Sequence, residues 1–75
     1  MHADELKKLL KATPFKPFTV YMPSEKAFQI PHSDFGFVTP NGRTLIVAYS
    51  GGGVDLLDIP LITRIEVQQA TASEI

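Results

Sequence analysis

The chain has no cysteine, which removes disulfides and thiolate metal sites from its chemistry. It has two histidines, His2 and His32, too far apart in sequence to suggest a structural zinc site. A surplus of charge is missing as well: seven basic residues against eight acidic ones leave a net charge of −1. That balance is not the footprint of a protein built for nucleic acid or for an acidic membrane. No apolar run approaches the roughly 20 residues that cross a bilayer. Leu6, Leu9 and Leu10 are interrupted by Lys7 and Lys8, unlike the unbroken apolar centre of a signal peptide. These absences predict a soluble, cytoplasmic chain with no membrane partner, and the lack of cysteine fits a reducing compartment.

With 75 residues there is room for one domain, covering 1–75. Domains this small bury only about 60% of their unfolded surface. Disulfides, a metal or oligomerisation usually reinforce them. With cysteine absent and a zinc site improbable, self-association is the expected reinforcement. The charge is also uneven. Residues 1–26 hold five lysines against three acids, a surplus of +2, and residues 27–75 hold two arginines against five acids, −3. A basic end and an acidic body favour like molecules meeting head to tail.

What the chain does contain is a legible order of elements. Residues 3–12 predict a helix, because Leu6, Leu9 and Leu10 fall at the i, i+3, i+4 spacing of one apolar stripe. Asp4 and Glu5 in the first turn and Lys11 in the last suit the helix dipole, and Asp4 and Lys8 have the spacing of an ion pair. Pro14 and Pro17 forbid continuation, and Phe15 and Phe18 are placed to pin the helix to a sheet. From residue 18 to 67 the chain reads as short strands. Phe18, Val20 and Met22 alternate with Thr19 and Tyr21. A Pro23–Lys26 turn follows, then Ala27–Ile30. Pro31-His32-Ser33-Asp34 interrupts as a bulge, corner or edge, and Phe35–Thr39 resumes with Phe35 and Phe37 on one face. Asn41-Gly42 predicts a tight primed hairpin turn. Thr44–Tyr49 is apolar on both faces, as a strand covered on both sides would be. The covers expected are the helix on one side and a partner chain on the other. Gly51-Gly52-Gly53 makes a loop before the strand Val54–Ile59. Pro60-Leu61-Ile62 is a brief turn, and Thr63–Val67 a half-buried strand. Residues 68–75 are expected to fray.

The fold class predicted is therefore mainly β with an N-terminal helix: a small, five-stranded, strongly bent antiparallel sheet, or an SH3-like (Sm-like) barrel. Bending hides most of the strand edges that a flat sheet of this size leaves open.

Few side chains suggest chemistry. His32-Ser33-Asp34 holds residue types used in nucleophilic catalysis. Neighbours on an extended segment point in alternate directions, however, and do not form the required triangle. His32 and Asp34 are thus a candidate polar site, with a protonation-sensitive contact the better role for His32. The triple glycine lacks the following helix and the Gly-Lys-Ser/Thr ending of a phosphate loop. Asp55 and Asp58, three apart on a strand, face opposite sides and read as solvated acids. Lys7, Lys8, Lys11 and Lys16 form the basic patch, with Phe15 and Tyr21 near enough in sequence to stack a base. The five phenylalanines read as core. Ile46, Ala48, Tyr49 and Tyr21 are the candidate interface, because an uncovered apolar face on so small a body marks a contact surface.

Two resemblances follow. The element order, ending in a short turn and last strand at Ile59–Val67, resembles small Sm-type barrels. The chain lacks their RNA-binding loops: no Asp sits beside an Asn in 35–41, and no Arg-Gly follows Leu61. The segments Pro14-Phe15-Lys16-Pro17-Phe18, Pro31-His32-Ser33-Asp34-Phe35 and Asp58–Glu66 resemble a group of small uncharacterised bacterial proteins. Those carry Pro-Phe-Arg-Pro-Phe before the sheet and His-Pro-Glu-Phe mid-chain. Lys16 replaces the Arg here, and Ser33-Asp34 the Pro-Glu. That group implies a layout and no activity. The expectation from sequence is a non-enzymatic interaction or self-assembly module without cofactor, whose partner is a second copy or another protein. Weak Sm-like binding of single-stranded nucleic acid is the alternative.

Overall fold

Pro14 and Pro17 divide the chain into helix and sheet. The computed structural model describes residues 2–68. Helix α1 covers Ala3–Lys11 and ends with Ala12 extended, one residue short of the expected span. Leu6 is fully buried, with Leu9 and Leu10 half-buried beside it, as the stripe requires. Asp4 and Lys8 do not close an ion pair; among the described residues the ion pair formed is Arg64–Glu66, at 3.8 Å.

Six strands follow: β1 Phe18–Met22, β2 Lys26–Ile30, β3 Gly36–Val38, β4 Thr44–Ala48, β5 Val54–Asp58 and β6 Arg64–Val67. They form two antiparallel three-stranded sheets, ordered β2-β1-β6 and β3-β4-β5. There are six strands where about five are expected, and they pair as two sheets rather than as one bent sheet. The segment 31–35 breaks the ladder, so that the chain leaves the first sheet after Ile30 and joins the second at Gly36, and backbone pairing does not close the two sheets into a barrel. Pro31 explains the break, since it lacks the donor that would continue the ladder. Three 3₁₀ turns join strands, at Pro23–Glu25, Ser33–Phe35 and Ile59–Leu61. The last meets the expectation of a brief turn near Pro60.

The two sheets share one core with the helix. Phe18, Val20 and Ile30 from the first sheet meet Val38, Leu45, Val47 and Leu57 from the second, and Leu6, Ile59 and Ile62 complete the cluster. No polar or charged side chain is buried among the described residues. The inner face of β4 is thus covered by the opposite sheet, while α1 lies against β3. The helix shares in that cover through Leu6, which belongs to the same buried cluster as Leu45 and Val47.

Two further expectations change. Only Phe18 of the five phenylalanines is buried; Phe15, Phe28 and Phe35 are half-buried, and Phe37 is 56% exposed. The 3₁₀ turn at Ser33–Phe35 takes Phe35 out of the strand, so alternation restarts at Gly36 and sends Val38 inward and Phe37 outward. The Asn41-Gly42 turn is not of the primed type, since only Gly42 has positive φ (73°). Pro40, with its ring-fixed φ, sits at the second position of a turn closed by the Gly42 N–H donating to the Thr39 carbonyl at 2.8 Å. Asn41 Oδ1 then accepts from the Arg43 N–H (3.0 Å) and the Thr39 hydroxyl (2.7 Å). At the chain's far end the Gln68 N–H donates to the Pro17 carbonyl at 2.8 Å, tying the end of β6 to the proline segment. The rest of the expected frayed tail, 69–75, lies outside the described residues.

Candidate interaction surface

Strand β4 is apolar at every position from Leu45 to Ala48, and its pleat sends alternate residues to opposite sides. Leu45 and Val47 go into the core. Thr44, Ile46 and Ala48 face outward. Register then decides their company: Ile46 stands opposite Phe37 on β3 and Leu56 on β5, and Ala48 stands opposite Val54. Residues directly opposite in an antiparallel pair lie on the same side and touch. The outer face of this sheet therefore carries a row Phe37–Ile46–Leu56 across all three strands, with Ala48 and Val54 in the next row. Phe37 is 56% exposed, Leu56 67% and Val54 58%. At the other end the outer face turns polar with Thr44 opposite Asp58.

The outer face of the other sheet is built from different residues. Thr19 stands opposite Gln29 and Glu66, and Tyr21 opposite Ala27 and Arg64. Tyr21, Arg64 and Glu66 pair with one another. The Tyr21 hydroxyl donates to Glu66 Oε1 at 2.9 Å, and the Arg64 guanidinium lies 3.9 Å from the centre of the Tyr21 ring. One sheet is thus covered by a paired polar network and the other by bare hydrocarbon.

No family model, curated protein or solved structure matches the chain. The two resemblances noted above rest on the quoted segments and element order alone, and the surfaces themselves must carry the argument.

The structure brings together half of the sequence-derived interface. Ile46 and Ala48 share the outer face. Tyr21 belongs to the opposite sheet. Tyr49 follows β4 and donates its hydroxyl to Asp55 at 2.5 Å; Asp55 stands opposite inward-facing Val47, so Tyr49 does not join the Ile46 row. That hydrogen bond, with lesser contributions from desolvation and the Asp55 charge, raises the Tyr49 pKa above 10.0. Phe37, Val54 and Leu56 were missed. Their signal was present in part: Leu56 and Leu57 are adjacent on a strand, so one of them has to face out.

His32 and Asp34 are both exposed in the corner before β3. The corner is closed by backbone, the Phe35 N–H donating to the His32 carbonyl at 3.0 Å. The His32 ring meets Phe35 edge-on, with centroids 5.8 Å apart. Among the described residues no three His, Asp or Glu side chains gather as metal ligands would. Lys7, Lys8 and Lys11 share a shallow depression on α1 with Asp4, and Lys16 lies outside it.

Proposed function

We propose that the chain is a non-enzymatic self-association module, in which the outer face of β3-β4-β5 packs on the same face of a second copy. The row Phe37–Ile46–Leu56 carries this reading. Three large side chains more than half bare or flanking such neighbours, aligned across three strands, are what water should not be left to cover on so small a body. Two sheets packed face to face at about 10 Å would interdigitate such rows. A two-fold arrangement places each patch on its own copy. The fold reading that accompanies it is an SH3-like barrel of Sm type. What supports it is that only the corner at residues 31–35 separates β2 of one sheet from β3 of the other.

Sedimentation velocity from micromolar to millimolar protein tests the function. The expected result is a mass that rises with concentration and is insensitive to salt. A sharp monomer boundary throughout would end the proposal. The convergence of Lys7, Lys8 and Lys11 supports a second reading, weak binding of single-stranded nucleic acid by these residues and Lys16. It has less behind it, since Asp4 sits in the same depression. A retarded band with single-stranded RNA at low salt, lost as salt rises, would be its signature.

A further inference from the structure

We propose that the groove between β2 and the end of β4 takes an extended basic segment of another protein, seating a lysine or arginine side chain against Tyr49 beside Asp55. The groove encloses about 420 Å³, and its walls include Phe28, Gln29, Pro31, Phe35 and Tyr49. Phe28 and Phe35 are half-buried and fixed against the core and the corner, while Tyr49 is 42% exposed. Three features select the occupant. Among the described residues strand β2 pairs with β1 alone, so a row of its backbone donors and acceptors faces outward, and residues 27–29 form one bank of the groove. An unpaired strand edge beside an apolar trough recognises an extended chain, the edge holding its backbone and the trough its alternate side chains.

The charge selects which side chain. Among the described residues no charged side chain lines the groove itself, and the acid at its Tyr49 end is Asp55. Asp55 accepts from the Tyr49 hydroxyl at 2.5 Å. A phenol donating to a carboxylate has a more electron-rich ring, which strengthens its attraction for a cation above its face. The aromatic and proline walls suit the methylene stem of lysine or arginine, and the head group then reaches the ring and the carboxylate together. A glutamate in the same place would face Asp55 with nothing to neutralise it. This site goes beyond self-association and does not depend on it, Ala48 being the residue common to both surfaces.

The test is an NMR titration of the full chain with the capped peptide Val-Arg-Val-Arg-Val and, separately, Val-Glu-Val-Glu-Val. The expected result is shifts at residues 27–29, Phe35 and Tyr49 with the arginine peptide only. Tyr49→Ala should weaken binding about two- to thirty-fold, the factor a cation–π contact supplies between exposed and desolvated settings. Asp55→Asn should weaken it with the fold intact, and Leu56→Ser should leave it unchanged while altering the sedimentation of the free protein. Equal binding of the two peptides, no shifts at millimolar peptide, or unchanged affinity in both Tyr49→Ala and Asp55→Asn would overturn the proposal.

Discussion

Leu56 and Leu45 stand on neighbouring strands of one sheet, yet their truncation should be felt by different equilibria. Leu56 is 67% exposed and Leu45 fully buried. Burying a leucine completely is worth about 1.5–3 kcal/mol. With about one third of that realised on folding, Leu56→Ser should cost the monomer roughly 0.5–1 kcal/mol. The remaining two thirds, roughly 1–2 kcal/mol per copy, is available only when the outer face is covered. A two-fold pair loses it twice, so the dissociation constant should weaken by about 30- to 700-fold. Leu45→Ala should instead cost about 2–5 kcal/mol of folding stability through its transfer and cavity terms. Urea unfolding at low protein concentration reads the first quantity, and sedimentation equilibrium the second. The reasoning fails if Leu56→Ser associates as the parent does, or if it destabilises folding as much as Leu45→Ala.

Three other outcomes follow from the backbone and from one phenol. Ser24 and Glu25 both hold left-handed φ, 66° and 61°, a region that costs a non-glycine residue about 1–2 kcal/mol; Ser24→Gly should raise stability by about 0.5–1 kcal/mol once the looser unfolded chain is counted, and a lower urea midpoint would contradict this. A methyl group on Gly36 would meet Leu10 Cδ2 at 3.0 Å and Ile30 Cγ2 at 3.4 Å, so Gly36→Ala should loosen α1 against β3 and cost about 1 kcal/mol, read as lower amide protection in both elements. Tyr49 has its pKa raised by the hydrogen bond to Asp55: the stabilisation is complete below pH 10 and is lost as pH climbs through the folded value. Ultraviolet titration at 295 nm should therefore show one late phenol that returns toward its ordinary value in Asp55→Asn, and an unchanged titration in that variant would contradict the assignment.

Much of the layout was legible because proline and alternation act locally. Pro14 and Pro17 fix where α1 stops, and Phe18/Val20 and Ile65/Val67 alternate with polar residues strictly enough to define which side is wet. Phe37 shows where such reading fails. Its inward placement assumed an alternation counted from Phe35. The 3₁₀ turn at Ser33–Phe35 moves the count by one, and a slip of one residue exchanges the two sides of a strand. Nothing in the local composition announces that turn. The outer row was likewise only half visible. Ile46 and Ala48 stood out within an apolar strand, but Leu56 and Phe37 join them through register between segments remote in sequence, which local pattern does not carry. Tyr21 was misplaced for the same reason, its neighbours Arg64 and Glu66 lying on a strand more than forty residues on.

Under the self-association proposed above, the contrast between a polar network over one sheet and bare hydrocarbon over the other limits how far assembly can proceed. A body with a single adhesive side has a valence of one. Two copies meeting through it would each show their own solvated back to the surroundings, and growth would halt. Replacing Tyr21 and Arg64 by hydrocarbon would give the protein a second adhesive side, and with it the geometry of a filament.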